Sequence, residues 1–114
     1  MNQNEYPCTV DYDAQFDLLS LTRPNLKSTH SIIAGPFTID LHQKDLVGIE
    51  IENASPLLES LFGLQMDLTK ITNARIGIKE INDVLMLFLA FHYEDHDLQQ
   101  QIVVPKTGAA PLLA

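Results

Sequence analysis

The sequence contains few of the residues that disulfide-stabilised or thiol-reactive proteins need. Among its 114 residues Cys8 is the one cysteine, and tryptophan is absent. A single cysteine excludes a disulfide within the chain and is typical of a reducing compartment, so we predict a cytoplasmic protein. No residue next to Cys8 in the sequence would activate it, so we expect a buried structural thiol.

Long hydrophobic runs are also missing. The longest covers residues 84–91, whereas a helix needs roughly 20 apolar residues to cross a bilayer. Residues 1–5 are polar and lack the basic and apolar regions of a signal peptide. We therefore expect no membrane association.

Positive charge is scarce. Seven Lys and Arg residues stand against fifteen Asp and Glu, which gives a formal net charge of -8. The basic residues are scattered, and an acidic chain repels phosphate backbones. We therefore expect no nucleic-acid partner. The five glycines include no Gly-x-Gly arrangement, so a phosphate-cradling loop of that kind is excluded as well.

Alternation of apolar and polar residues is what the sequence has in abundance, and this period of two is typical of half-buried β-strands. Residues 37–41 and 47–51 show it most clearly and flank the polar turn 43–45, so they predict a hairpin. In its second strand the pattern places Val47, Ile49 and Ile51 on the buried face, and Glu50 and Glu52 on the exposed face.

Other segments have related patterns. Residues 84–91 are apolar at every position, so this strand belongs in the middle of a sheet with both faces covered. The tail, residues 107–114, has no clear periodicity. Further strands are predicted at residues 9–12, 17–21, 30–34, 74–79 and 98–104.

One segment changes to the helical period. Ser55 suits an N-cap and Pro56 the first helical position. Leucines and a phenylalanine follow at helical spacing up to Gly63, a natural C-terminal stop. The chain is thus predicted to be α+β, with a mostly antiparallel sheet of about seven to eight strands and one short helix (about 55–63) packed on one face. No linker interrupts it, so we predict a single domain over residues 1–114.

Three segments carry a resemblance to a known family. The first opens with Tyr12-Asp13 and runs to Leu21, and the second covers residues 37–41. The third reads Val-Gly-Ile-Glu-Ile over residues 47–51 and continues through Ala54-Ser55. Together they resemble the YuzE-like family of small prokaryotic domains of unknown function, over about residues 9–63. The resemblance implies an α+β fold, no assigned activity and, for some members, an antitoxin role beside a small toxin.

Two features depart from this family. Ser20 stands where an aromatic residue is frequent, and the turn 43–45 lacks the family's glycine. Residues 64–114 lie outside the usual short domain, and we predict that they form a three-strand extension.

Two histidines are the candidates for a metal or catalytic site. His92 and His96 lie among carboxylates and could ligate zinc, but a spacing of four brings histidines together only on a helix, and this stretch is predicted to be strand and turn. A third ligand such as His30 or His42 would have to arrive through folding. We therefore rank His92 and His96 as weak candidates, assign no catalytic residue and expect no cofactor.

Acidic residues are the other candidates. Asp11, Asp13 and Asp17 could bind a cation, but the glycine of an EF-hand loop is missing, and we interpret them as turn residues that bond local amides. Glu50 and Glu52 could act as an acid–base pair only if burial raised the pKa of one of them. Because they lie opposite the apolar face of their strand, we expect both to be exposed.

These features together favour a non-enzymatic structural or protein-interaction module. A chain with much apolar strand surface and one short helix to cover it predicts a homodimer, formed through a sheet edge or the helix face. The first alternative is an antitoxin-like partner whose acidic surface masks a basic toxin. The second is a metal-binding or enzymatic protein that uses His92 and His96.

Overall fold

Eight antiparallel strands form one curled sheet, and a nine-residue helix packs on it. The structure is a computed structural model that describes residues 5–105, so the tail 107–114 lies outside the described residues. The predicted α+β class is confirmed. In chain order the elements are β1 (Glu5–Asp13), β2 (Leu18–Thr22), β3 (His30–Ala34), β4 (Phe37–His42), β5 (Asp45–Ile51), α1 (Ala54–Phe62), a 3-10 turn (Leu68–Lys70), β6 (Ile71–Ile81), β7 (Val84–Tyr93) and β8 (His96–Pro105).

The strand order across the sheet is β3-β4-β5-β2-β1-β6-β7-β8. β1 joins the two parts, because its first four residues pair with β6 and residues from Thr9 onward pair with β2. The predicted hairpin of β4 and β5 is confirmed. The segment after α1 forms three strands, β6 to β8, as the sequence predicted.

The core lies on the concave face of the sheet. Alternate positions of every strand contribute to it, and the side chain of Leu58 from α1 is completely buried among them. Because the sheet curls, its two halves cover much of each other's apolar surface. The largest fully buried side chains are Phe91, Leu19, Leu21, Ile39, Leu46, Ile49, Ile51, Leu58, Ile76, Leu87 and Leu89.

Strand β7 lies between β6 and β8, as its unbroken apolar run predicted, and its convex face is buried at Phe88 and Ala90 but only half-buried at Val84 and Met86. On the concave face Phe62 of α1 packs edge-on against Phe91, with ring centroids 5.8 Å apart. On the convex face Phe88 and Ala90 are also buried. The cross-strand neighbours of Phe88 are Gly77 and Gln101, so flanking strands rather than the helix protect this side.

A β-bulge in β5 changes which residues face the core. Asp40 pairs with Gly48, but Leu41 pairs with Leu46, so Val47 has no partner of its own in β4. The backbone carbonyl of Val47 accepts a hydrogen bond from the Arg23 amide instead (2.8 Å). The prediction that Val47 is buried is confirmed, since it is 4% exposed. The bulge adds Leu46, which the period of two had not placed in the core, to the main apolar cluster.

The start of the helix also differs from the prediction. α1 begins at Ala54, and the N-cap is Asn53, in a left-handed conformation (φ 50) without a side-chain cap bond. Ser55 and Pro56 are the second and third helical residues, so the N-cap assigned to Ser55 is wrong. The predicted end is confirmed, since Gly63 adopts φ 71 and donates its amide to Glu59.

Within residues 5–105, no helix has the length and hydropathy needed to span a membrane.

The bulge region depends on the absence of a side chain at Gly48. A Cβ there would lie 2.8 Å from the carbonyl oxygen of Leu21 on the neighbouring strand. We expect Gly48→Ala to destabilise the protein by about 1–3 kcal/mol, because backbone must shift to relieve the clash. Gly63→Ala meets no atom within 4 Å and should lose only about 1 kcal/mol, from its positive φ. Urea unfolding of both variants tests the order; a smaller loss for Gly48→Ala would contradict it.

Candidate functional site

The best-connected polar cluster of the described residues joins the β1–β2 turn to the start of α1. The Asp17 carboxylate accepts hydrogen bonds from the Tyr12 hydroxyl (2.7 Å) and the Ser55 hydroxyl (2.8 Å), both at Oδ1. The Ser55 backbone amide lies 3.0 Å from Oδ2. The backbone carbonyl of Asp17 accepts from the Ala54 amide (3.0 Å).

This cluster caps the helix from a distant part of the chain. Amides of a first helical turn have no partner within the helix, and here Asp17 accepts from two of them. The interpretation of Asp17 as a residue that bonds local amides is therefore wrong. For Asp13 it is confirmed, because Oδ1 accepts from the amides of Gln15 and Phe16.

The hydrogen bonds of the cluster favour the ionised form of Asp17 and the protonated form of Tyr12. Desolvation by itself raises the pKa of Asp17, but the hydrogen bonds from Tyr12 and Ser55 outweigh it, so the pKa lies below its ordinary value. The hydrogen bond to Asp17 raises the pKa of Tyr12. Tyr12 thus stays protonated and donates, and the carboxylate holds the Ser55 hydroxyl as a donor instead of activating it as a nucleophile.

The structure does not bring His92 and His96 together. His92 pairs with Asp97 and His96 with Tyr93 across the β7–β8 turn, so the two histidines belong to opposite faces of the sheet. His92 Nδ1 contacts Asp97 Oδ1 at 2.8 Å. Within residues 5–105 no group of three or more His, Cys, Asp or Glu side chains is arranged to hold a metal ion.

A small depression lies beside this His92–Asp97 pair. Its volume is about 150 Å³. Ala90 is one of the residues that line it, and the cross-strand neighbours of Ala90 are Arg75 and Gln99. Arg75 already forms an ion pair with Glu5 (3.2 Å). A volume of this size is enough for a small ring such as benzene, but the Arg75 guanidinium is already engaged by Glu5.

Two further candidates have environments that the sequence did not indicate. Glu50 is half-buried rather than exposed, and desolvation together with a hydrogen bond to Asp40 raises its pKa. Its acidic neighbour is thus Asp40 on β4, in addition to the exposed Glu52. Cys8 is half-buried, and burial raises its pKa to about 11, so the thiol is protonated at neutral pH.

Strand β8 is the feature of the surface that is best suited to binding another chain. It is the last strand of the sheet and is ten residues long, and residues 98–104 carry no charge, proline or glycine. Natural edge strands are usually short or carry charges that prevent pairing with other chains. The opposite edge, β3, follows that rule with five residues.

Apolar side chains lie beside this edge on the convex face. We call them the convex patch, and they form two cross-strand pairs, Val84 with Pro105 and Met86 with Val103. Val103 is 58% exposed and adds apolar surface to that of its neighbour Met86. The sequence analysis did not single out this surface, although the uncharged run 98–104 in the last strand was a signal for it.

Comparison of the chain with protein-family models, with curated proteins and with solved structures gives no match. The resemblance to the YuzE-like family therefore stays a prediction from the sequence. Tyr12, Asp17 and Ser55, which belong to the segments that carry the resemblance, meet in the hydrogen-bonded cluster that anchors the helix.

The cluster predicts a pH-dependent contribution to stability. We expect Asp17→Asn to lower the free energy of unfolding at pH 7 by about 1 kcal/mol, the usual effect of losing a helix cap. A lowered pKa in the folded state means that this contribution is present above the unfolded-state pKa and is lost as the pH falls through the folded-state value. The difference from wild type should therefore shrink below about pH 4.

The matched control is Asp11→Asn, which removes the same charge from an exposed position on β1. Urea unfolding at several pH values measures both variants. Equal losses in the two, or a difference for Asp17→Asn that does not change with pH, would contradict the proposed role of the carboxylate.

Proposed function

We propose that this protein is a protein-interaction module that forms a homodimer by pairing β8 with β8 of a second copy. The observation that carries the proposal is the long edge strand, with its uncharged residues 98–104 and the exposed Val103. Antiparallel pairing of two identical edges is compatible with a two-fold axis, the commonest symmetry of homodimers. Main-chain hydrogen bonds would supply affinity, and the convex patch would add apolar contact.

Charge supports this edge as the contact. Two copies of a chain with net charge -8 repel each other, so a stable interface has to keep carboxylates apart. Residues 98–104 meet that condition over seven consecutive positions. The helix face is less suited to the same role, because Leu58 is fully buried and Leu57, Leu61 and Phe62 pack against the core.

Substitution by lysine at an exposed apolar residue of each edge strand, Val103 in β8 or Ile33 in β3, tests the proposal. Val103→Lys places a charge on β8, one edge of the sheet. Ile33→Lys places the same charge on β3, the opposite edge, where Ile33 is 73% exposed. We expect the wild type and Ile33→Lys to be dimers and Val103→Lys to be a monomer, since a lysine on an edge strand opposes pairing. Sedimentation velocity over a range of concentrations measures the oligomeric state.

Circular dichroism and melting temperatures should show that both variants are folded. A wild type that stays monomeric at the highest concentration would overturn the proposal. So would a dimer that survives Val103→Lys and is lost in Ile33→Lys.

An acidic convex surface supports a second candidate, a basic protein partner. Strands β2 to β5 contain no Lys or Arg. Asp11, Ser20, Glu50 and Thr38 form one row across β1, β2, β5 and β4, and Asp40 lies beside Glu50. A surface of this charge complements a basic one, which is the property that an antitoxin-like protein would use.

A decalysine peptide serves as the probe for this second candidate. We expect the wild type to bind it with an affinity that falls as salt is raised, and the double change Asp40→Asn/Glu50→Gln to weaken binding. Glu94→Gln/Asp95→Asn, in the exposed β7–β8 turn, alters the net charge equally and should bind like the wild type. Calorimetric titration compares them; equal weakening in both double variants would show an effect of net charge alone and contradict a defined surface.

A further inference from the structure

The end of the curled sheet opposite α1 contains a cavity of about 330 Å³. β5 runs from the turn at residues 43–44 to α1, so the turn and the helix lie at opposite ends of the sheet. At the turn end, side chains from β3 and β4 meet side chains from β6 and β7 around the cavity. β5, β2 and β1 separate these two pairs of strands in the sheet, so only its curl brings them together.

The inner wall of this cavity is apolar. Leu41 and Leu85 belong to the buried core, and Ile32 and Ile78 pack against it while remaining partly exposed. Side chains of this kind form a surface that favours the hydrocarbon part of a ligand over water.

Polar residues lie around the same cavity. His30 pairs with Leu41 and Glu80 with Leu85, so the register places both polar residues on the concave face, at or near the ends of their strands. Gln43 and Lys44 come from the β4–β5 turn. The cavity therefore combines an apolar wall with a polar opening, the arrangement that orients an amphipathic molecule.

We propose that this cavity binds a small carboxylate with an unbranched apolar tail, with the carboxylate at Lys44 and the tail on the apolar wall. Within residues 5–105 Lys44 makes no ion pair, so its ammonium group is available to an anion. Glu80, the carboxylate among the lining residues, already has an interaction partner. An anionic head group can thus pair with the Lys44 ammonium group. A cationic head group would have to compete with the existing partner of Glu80.

The size of the cavity sets the length of the tail. At ~30 Å³ for each non-hydrogen atom, the volume occupied by a water molecule in the liquid, it holds on the order of ten such atoms. Octanoate has this size. The proposal does not depend on the oligomeric state, because the residues around the cavity come from β3, β4, β6, β7 and the β4–β5 turn rather than from β8.

Titration of the full chain with octanoate, octylammonium and octanol tests the proposal, with calorimetry for affinity and NMR for the site. We expect octanoate to bind most tightly and to shift the methyl resonances of Ile78 and Leu85. Lys44→Gln should weaken octanoate about tenfold, the effect of one charge-assisted hydrogen bond. Glu80→Gln should strengthen it by removing a nearby negative charge.

Lys79→Gln is the matched control, because Lys79 is exposed and pairs with Met86 on the convex face. It should leave octanoate affinity unchanged. The proposal is overturned if octanoate does not bind, if octylammonium or octanol binds as tightly, or if Lys44→Gln and Lys79→Gln have equal effects. Shifts confined to residues remote from Ile78 and Leu85 would also overturn it, since the ligand would then occupy another place.

Discussion

The need to cover the concave face of the sheet determines the rest of this structure. Eight strands present alternate apolar side chains on that face, and the one α-helix within residues 5–105 has only nine residues. A helix of this length cannot cover such an area, so the sheet has to curl until its halves bury each other. The curl also brings non-adjacent strands together around the cavity. Strand β8 is an edge of the sheet, among the described residues, because it is last in the strand order.

The short helix is stable because both of its ends are held by side chains from the sheet. Two turns of helix are marginal in water without tertiary contacts. Asp17 accepts from the first-turn amides, and the Gln100 side chain of β8 donates to the Leu61 carbonyl at the other end (2.7 Å). Phe62 on Phe91 then fixes the apolar face. The helix therefore links the β1–β2 turn with β7 and β8, which belong to different parts of the sheet order.

The acidic surface and the convex patch lie on different strands of the sheet, and Ile33 is a second exposed apolar residue, beside Thr38 on the acidic side. Carboxylates are concentrated on the convex side of β1 to β5, where Asp40 and Glu50 approach closely enough to raise the pKa of Glu50. The uncharged edge and the convex patch lie at the far side, on β7 and β8. Residues 98–104 of β8, the contact proposed for a second copy, thus carry none of these carboxylates.

Local patterns in the sequence were enough to predict the strands and the helix. A period of two is visible in residues 37–41 and 47–51 without knowledge of the fold, and Gly63 ends the helix because of its own backbone freedom. The unbroken apolar run 84–91 likewise showed that β7 lies between other strands. Of the candidate interface, only the uncharged run 98–104 was visible in the sequence, and its importance depends on β8 being at an edge.

The tertiary structure decided every feature that needs residues far apart in the chain. The capping carboxylate of Asp17 lies 38 residues before Ser55, so Ser55 itself was the natural local choice for the N-cap. The bulge that buries Leu46 as well as Val47 depends on pairing with β4. The cavity depends on the curl of the whole sheet. The sequence by itself thus determined which segments are strand or helix, since those preferences are local, whereas the pairing, the edges and the cavity follow from long-range packing that no local pattern contains.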